Sequence, residues 1–553
     1  MTLVPASAWA PLRHRAFRAL WIAQFASNTG TWMHLVGAQW LMGDLGGGAL
    51  QVALVQTATT LPIFLAVLPA GALGDIVDRR LVLLVSQGAM LLVAGLLCAL
   101  TFGGLTSPAV LLVLTFALGL GQALTIPCWQ AIQPELVGLA EVPQAATLNG
   151  VNFNVARAVG PAIGGGLIAV TGPGLVFALN AASFLAIVGV LLAWRRPRAR
   201  RAFAAEHPWS ALAAGARFVR SSPSLRAVLA RAGLFMTFAS GLWALLPVVA
   251  RGPLGLGPDG YGLLLGSVGI GAVAGAFVLP ALRARLTVDR LVALASAAYA
   301  AALLAIGLSG TLPVVVGALV VSGLAWIGVL SSLSAAAQTL LPDWTRARGL
   351  AYYTLVFMGA QALGSVAWGV VAAEAGLDAA LLVLAAGLLA GLVVARRFPL
   401  RATPLDVRPA QHLSEPHLVL DARPGDGPVL VCVEWRVAPD AAPAFLDAMR
   451  AVERSRRRTG ARRWGLFQDG DDPAAYLEAF TVATWEEHRR QHEERRTRTD
   501  EEVVQRAREL ALDGGEPRVR HLLSAYRDGA RERPGAQTST TTGSTIGRLR
   551  RRS

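Results

Sequence analysis

Two acids and two arginines lie close together in the short segment 71–80, between two long apolar runs. Asp75 could pair with an arginine or accept hydrogen bonds from the N-terminus of a helix. Arg79 and Arg80 begin the second run, where a helix dipole disfavours positive charge, so we expect them to bind lipid phosphates or carboxylates elsewhere. We predict a conformational latch here, formed by Gly71, Asp75, Asp78, Arg79 and Arg80. The simpler alternative is that the segment only anchors the chain at a membrane surface.

Arg157 lies in the middle of an apolar run, about 12 residues and about 18 Å from its start at a rise of 1.5 Å per residue. An arginine at that depth in a membrane is costly and is therefore a functional candidate. It could bind an anionic substrate or an acid on another helix. Substrate binding is favoured, because no acid lies at mid-depth in another run. His34 is a candidate for proton exchange, although a purely structural histidine fits the same position.

Amides and aromatic residues in the apolar runs could line a cavity for a large amphipathic organic solute. Some of them would instead join helices through hydrogen bonds. Asn28, Trp129 and Asn149 stand beside Arg157 and His34 as candidates for substrate binding or coupling. The wider set is Gln24, Gln39, Gln56, Gln122, Trp243, Trp326, Tyr353 and Gln361.

Small residues follow Arg157 in the same run. Gly160, Gly164 and Gly165 would let a neighbouring helix approach closely, and Pro161 would bend their own helix. This motif could seal a pathway against ion leak, or it could be a packing surface. We favour packing, although the two roles are compatible.

Several kinds of chemistry are excluded by residue type. The chain contains no lysine, so it has no nucleotide-binding loop of the Gly-x-x-x-x-Gly-Lys type and no means of driving transport with ATP itself. Three scattered cysteines support neither disulfides nor a metal cluster. His488 and His492 share one helix face, but no third ligand is evident in the sequence. We therefore predict no metal, no cofactor and no catalytic residues.

The elements that must position these residues are membrane helices, since 54% of the 553 residues are hydrophobic. Twelve apolar runs are long enough to cross a bilayer. They lie at 17–42, 51–74, 80–102, 108–132, 145–170, 174–194, 225–250, 260–282, 288–309, 312–340, 349–373 and 377–396. We therefore predict an all-α membrane protein with two six-helix halves.

Arginine predicts the orientation of these helices. The loops on one side hold nearly all the arginines near the membrane, whereas the opposite loops hold only Arg251. Because positive loops face the cytoplasm, both termini are predicted to lie there. The net charge of +15 is concentrated next to the membrane, which favours lipid rather than nucleic acid as the partner.

Composition divides the chain into six predicted segments. The halves occupy 1–194 and 225–400, joined by a cytoplasmic loop at 195–224. A linker at 401–427 leads to a small α+β domain of ferredoxin-like β-α-β-β-α-β order at 428–525, and a tail follows at 526–553. Val77-Asp-Arg-Arg-Leu and Val288-Asp-Arg-Leu echo each other, which indicates two related halves.

The motifs, in their order and spacing, resemble those of a known family. Segment 71–80 resembles the loop between helices 2 and 3 of the major facilitator superfamily, and 160–165 resembles its antiporter motif. Segments 17–21, 27–32, 152–161 and 485–492 resemble the transmembrane secretion effector group, which includes enterobactin exporters. The chain departs from the pattern at three residues, namely Asp78 and Ala156, where glycine is usual, and Thr115, where arginine is usual. The C-terminal domain resembles antibiotic-biosynthesis monooxygenases.

The resemblance implies a secondary transporter of a bacterial inner membrane rather than an enzyme. It would export a small organic molecule, siderophore-, drug- or metabolite-like, by alternating access coupled to protons. Its core would be monomeric, with dimerisation open to the C-terminal domain. Two alternatives stay open: an importer, and a membrane-anchored enzyme whose C-terminal domain modifies the compound.

Overall fold

The computed structural model describes residues 9–194, 208–400, 406, 422–512 and 517–525. The side chains of 71–76, 139, 208–212 and 343 are outside this description. The chain forms two compact units, Met1–Arg408 and Pro409–Ser553. Most of the predicted linker and all of the predicted tail at 526–553 lie outside the described residues.

The described part of the first unit consists of helices joined by short turns. Its helices are α1 (Arg15–Asp44), α2 (Ala49–Ile76), α3 (Arg79–Phe102), α4 (Pro108–Val137), α5 (Val142–Thr171), α6 (Pro173–Ala193), α7 (Pro208–Ser221), α8 (Pro223–Arg251), α9 (Pro258–Arg285), α10 (Val288–Leu308), α11 (Leu312–Thr339), α12 (Arg346–Ala375) and α13 (Leu377–Ala395). Within the described part of the chain, eleven of them are long and apolar enough to cross a membrane. The helix in the first predicted run, α1, has 30 residues but is too polar in composition to meet the same criterion.

Local sequence sets where these helices begin. Asp78 caps α3, because its Oδ1 accepts hydrogen bonds from the backbone N–H of Arg80 (2.8 Å) and of Leu81 (3.3 Å). The departure from the usual glycine at this position thus has a structural reason. Thr287 caps α10 in the same way, through the N–H of Arg290 at 3.3 Å. Asp78 and Asp289, which align in the sequence echo, therefore occupy different positions relative to their helices.

The predicted loop at 195–224 contains the helix α7. Ala214 and Phe218, four residues apart, are both buried, as expected for an amphipathic helix lying on the bundle. Phe218 meets Trp344 edge to face, with ring centroids 5.8 Å apart. Residues 195–207 of this segment lie outside the description.

The two halves of the bundle contact each other on the side away from the start of α1, here called the far side. The Arg251 guanidinium at the end of α8 lies 2.8 Å from the Asp44 carboxylate at the end of α1. Nearby, the Tyr261 hydroxyl donates to Gln39 Oε1 (2.5 Å), and Gln39 Nε2 donates to the Trp243 carbonyl (3.2 Å). These contacts join α1 to α8 and α9.

The second unit is built on a four-stranded antiparallel sheet in the order β2-β3-β1-β4. Its elements are β1 (Val429–Arg436), α14 (Ala442–Thr459), β2 (Arg463–Gln468), β3 (Ala475–Val482), α15 (Trp485–Glu493), α16 (Arg498–Arg508) and β4 (Arg518–Leu523). Alternate residues of the central strand β1 pack against the helices, with Trp435 and Phe445 5.7 Å apart in the core.

Candidate functional site

A cavity of about 540 Å³ lies between the two halves of the first unit. All six helices α1 to α6 line it from the first half, and α8, α11 and α12 line it from the second. Of the described residues around it, Arg157 is the only arginine, and none is acidic. The described lining therefore carries one fixed positive charge and no negative one, a setting that favours an anionic group on a bound solute.

Arg157 projects from α5, one turn after Phe153 and Asn154, which also line the cavity. Its side chain is 6% exposed, and its Nη2 atom is buried without a hydrogen-bond partner. Buried guanidinium groups are ordinarily paired, since an unpaired one carries a large desolvation cost. A ligand carrying negative charge would supply the missing partner.

Other polar atoms around the cavity also lack partners among the described residues. Neither ring nitrogen of His34 has a hydrogen-bond partner. The ring packs against Phe177, with centroids 4.9 Å apart. The remaining atoms are Gln56 Oε1, Thr115 Oγ1, Asn180 Oδ1, Trp243 Nε1, Trp326 Nε1 and Tyr353 Oη. The set combines donors with acceptors, so it suits a solute with hydrogen-bonding edges of both kinds.

A band of aromatic rings crosses the cavity from one half to the other. Trp32 of α1 meets Trp243 of α8, with centroids 6.0 Å apart, and Trp243 meets Trp326 of α11 at 5.3 Å. Trp326 continues to Phe357 of α12 at 6.4 Å, and Trp32 reaches back to Phe153 at 6.1 Å. Flat aromatic groups pack favourably on such rings.

The structure separates the predicted candidates into two groups. Asn28, His34 and Arg157 line the cavity, whereas Trp129 and Asn149 do not. Trp129 packs instead against the apolar cluster that contains Phe17. The wider set divides in the same way, since Gln24 and Gln39 do not line the cavity. The others do: Gln56, Gln122, Trp243, Trp326, Tyr353 and Gln361.

The sequence analysis missed Asn180 and Asn154 as cavity residues. Asn180 is an isolated amide within the very apolar helix α6, so the criterion that singled out Arg157 could have found it. Thr115, noted only as a departure from a family pattern, also lines the cavity. Asn28 is partly engaged already, because it accepts from Gln24 (3.0 Å) and donates to Asn152 (2.9 Å).

The predicted latch is only partly described. Gly71 and Asp75 lie in the last turns of α2, and their side chains are outside the description. Arg79 donates to the Ala131 carbonyl at 3.2 Å and lies 3.3 Å from Glu135 Oε1, both on α4. The latch residue Asp78 serves as the cap of α3.

Arg80 binds the end of α6. Its Nε donates to the Leu191 carbonyl (2.8 Å) and its Nη2 to the Leu192 carbonyl (3.1 Å). The last carbonyls of a helix have no partner within it, so an arginine there is favourable. The described contacts of both latch arginines thus stay within the first half.

The second half contains an equivalent arrangement. Arg231 of α8 donates to the Ala395 and Phe398 carbonyls at the end of α13, each at 2.9 Å. It also lies 2.7 Å from the Asp289 carboxylate at the start of α10. An arginine therefore holds the end of the last helix in each half.

The glycine motif of α5 packs against two helices. A Cβ placed on Gly160 or Gly164 would lie within 3.0 Å of α1 atoms in Trp32 or Met33. One on Gly165 would lie 2.7 Å from the Gly262 Cα of α9, and Pro161 packs at the same crossing. This geometry supports the packing interpretation of the motif, at a contact between the two halves.

The second unit brings a third histidine to the pair predicted on one helix face. His521 of β4 lies beside His488 of α15, with ring centroids 4.9 Å apart, and His488 lies 4.7 Å from His492. Burial, with a smaller contribution from His521, lowers the pKa of His488 to about 4. The structure thus shows a third histidine beside the pair, which was not evident in the sequence.

Comparisons with known proteins agree with one another. The sequence model of the family described as transmembrane secretion effector matches residues 6–529. The enterobactin exporter EntS of Escherichia coli is 28% identical over 413 residues, covering 71% of this chain and 95% of that protein. The same exporter of Shigella boydii gives the same identity and coverage.

Solved transporters share the fold of the first unit. The nucleoside transporter NupG has a TM-score of 0.59 at 12% identity, covering 69% of this chain and 99% of that one. A bacterial homologue of the iron transporter ferroportin, in an inward-facing state, has a TM-score of 0.55 at 17% identity, covering 69% and 98%.

Proposed function

Because the chain belongs to the transmembrane secretion effector family of the major facilitator superfamily, we propose that it exports a small organic molecule across the bacterial inner membrane. Its family and relatives are transporters rather than enzymes. The observation that carries the proposal is the cavity between the halves, with its single cation, its unpartnered polar atoms and its aromatic band. These features suit an anionic, aromatic, amphipathic solute. Since the relatives are named enterobactin exporters, an enterobactin-like siderophore is the first substrate to test, ahead of drug- or metabolite-like compounds.

The proposed mechanism is alternating access. The far-side contacts, Asp44 with Arg251 and Gln39 with Tyr261, would break when the halves rock and open the cavity to that side. The latch segment 71–80 would be the corresponding device on the near side. In this proposal α1 is the twelfth span, and both termini lie in the cytoplasm.

In this proposal, transport is coupled to protons. No acidic residue lines the cavity among those described, so His34 is the proposed titrating group on α1. Arg157 would hold the anionic part of the solute while His34 exchanges a proton with the open side. The Gly160–Gly165 packing would keep the far side closed to ions meanwhile.

For the second unit we propose a ferredoxin-like fold, which the strand order β2-β3-β1-β4 supports. It would act as an appended domain with a dimerising or regulatory role. If the second unit instead modifies the exported compound chemically, transport would depend on that reaction. A chain ending at residue 405 separates the two: transport that survives in vesicles supports the appended role, whereas loss of a chemical conversion supports the enzyme.

The main test compares culture supernatants of wild-type and deletion cells by mass spectrometry. We expect one anionic aromatic compound to be depleted outside the deletion cells and to accumulate inside them. Uptake of that compound into inverted vesicles should require a proton gradient and Arg157. Vesicles in which Arg157→Gln transports as fast as wild type would contradict the assigned site, and accumulation outside deletion cells would favour import.

A further inference from the structure

Three histidines that are far apart in the sequence meet in the second unit. His488 and His492 lie on successive turns of α15, and His521 comes from β4 at the edge of the sheet. One ligand nitrogen from each can be chosen so that all three lie within 4.8 Å of one another. Imidazole is the commonest protein ligand for transition metals.

These imidazoles lack the partners that buried histidines normally have. His488 is fully buried, and neither of its ring nitrogens makes a hydrogen bond of good geometry, although the Gln491 side chain lies close to the ring. His492 Nδ1 and His521 Nε2 are also buried and unpartnered. Each buried polar group left in this state costs free energy, so the cluster is stable only if something compensates for it. A shared ion would occupy one lone pair on each ring.

The surroundings are compatible with a bound cation. The Trp485 ring covers one side of the cluster, 5.4 Å from His488 and 6.2 Å from His521. Two nearby arginines, Arg456 and Arg496, would repel a cation. Arg456 is paired with the buried Glu478 carboxylate at 3.0 Å, and the charge of Arg496 is offset in part by Asp500 and Glu501. No carboxylate belongs to the cluster, which disfavours Mg²⁺ and Ca²⁺.

We propose that His488, His492 and His521 bind one divalent transition-metal ion of the Zn²⁺ class. Zinc–nitrogen bonds of about 2.0–2.1 Å place tetrahedral ligands about 3.3 Å apart, so the rings must move closer by rotating about their side-chain bonds. The ion would fasten α15 to β4. Three nitrogens leave a tetrahedral ion one position for a ligand from outside the protein.

The test uses the full chain in detergent, stripped with a chelator and then titrated with Zn²⁺ or Co²⁺. We expect one tightly bound ion per chain and, with Co²⁺, the visible absorption bands of a tetrahedral site. His521→Ala and His488→Ala should each weaken binding by about 100-fold, since loss of even an outer-sphere partner costs about 10–100-fold. The matched control is His14→Ala, because His14 belongs to the first unit, where its exposed side chain pairs with Glu141.

Hydrogen exchange of the wild-type chain keeps the proposal testable if a variant fails to fold. Zn²⁺ should slow exchange in 485–493 and 518–523 and leave α14 unchanged. An equal affinity in His521→Ala and wild type, or wild-type exchange that Zn²⁺ does not alter, would overturn the proposal.

Discussion

At the scale of single residues, Asp78 shows how a departure from a family pattern can leave the stability of a helix almost unchanged. Aspartate and glycine are both good N-caps, the first through its side chain and the second through its backbone freedom. The two hydrogen bonds from Asp78 to the first turn of α3 identify the role directly. Capping is therefore a role that aspartate and glycine can share at this position.

We predict that Asp78→Ala destabilises the first unit by about 1 kcal/mol, whereas Asp78→Gly costs only about 0.3 kcal/mol. The reason is that alanine neither accepts the hydrogen bonds nor relaxes the backbone. Thermal unfolding of the purified protein in detergent measures the difference. Equal losses for the two variants would show that Asp78 acts through its charge instead.

In the second unit, Thr497 caps α16, and Asp500 completes a capping box by accepting from the Thr497 N–H at 3.0 Å. Asp500 also belongs to a buried network. Its Oδ2 accepts from the Thr497 hydroxyl at 2.6 Å, and its Oδ1 accepts from Ser455 at 2.7 Å and pairs with Arg458. Burial opposes ionisation of Asp500, but Arg458 and the two hydroxyl groups outweigh it and lower its pKa.

We predict that Asp500→Asn lowers the free energy of opening of α16 by about 3 kcal/mol at neutral pH, because it removes the negative charge from the buried ion pair of Asp500 with Arg458. Since the folded pKa lies below the unfolded value of about 3.9, the stabilisation is complete above pH about 4 and is lost as pH falls through the folded pKa. Amide hydrogen exchange of 498–508 measures it. Asp447→Asn is the control, since that carboxylate is exposed.

At the scale of helices, the crossing of α5 and α9 depends on backbones in direct contact. The Gly165 Cα and N lie within 3.4 Å of a Cβ built on Gly262, and the reverse contact is as close. Gly166, the next residue, has nothing within 4 Å of its Cβ position. Two adjacent glycines therefore have very different packing.

We predict that Gly165→Ala separates α5 from α9 and costs about 1–3 kcal/mol, whereas Gly166→Ala is close to neutral. The Ala side chain at 165 would overlap Gly262 and the Pro258 carbonyl. Transport rate and thermal unfolding should both fall only for the first variant. A loss of the same size at Gly166 would show that the α5–α9 crossing is not the cause, because alanine is the better helix former and has open space at that position.

The sequence predicted the positions of the helices along the chain better than it predicted which side of each helix lines the cavity. Apolar runs placed the helices because length and hydropathy follow from the bilayer. Trp129 and Asn149 do not line the cavity, and the sequence could not show this, because packed protein and lipid are both apolar and hydropathy does not show how a membrane helix is rotated. Arg157 does line it, as expected for a charge that has few other acceptable positions in a membrane. His521 could not be found, because only the pairing of β4 with β1 brings it to α15.

At the scale of the whole molecule, the far-side contacts hold the halves together in this conformation. Arg251 lies between them, 2.8 Å from Asp44 and with its guanidinium 3.8 Å from the centre of a Trp40 ring. Both charged side chains are partly exposed, so their attraction is screened by salt. The closure should therefore be adjustable by a single substitution.

We predict that Arg251→Ala moves the population toward a state open on the far side, and that high salt moves wild type in the same direction. Distances between spin labels at the far ends of α1 and α9 would report it. Arg285→Ala is the control, since Arg285 is an exposed residue at the opposite end of α9. Unchanged distances in Arg251→Ala would assign the closure to Gln39, Tyr261 and the glycine crossing alone.

The aromatic band has an optical consequence. Trp32 and Trp243 belong to different halves, and their rings are only 6.0 Å apart and tilted by 42°. Indoles in such proximity exchange excitation energy and couple their transitions, whereas indoles that separate by several ångströms do so much less. The molecule thus carries an intrinsic spectroscopic reporter: near-ultraviolet circular dichroism and tryptophan emission should follow each opening of the halves, and each occupancy of the cavity, without any attached label.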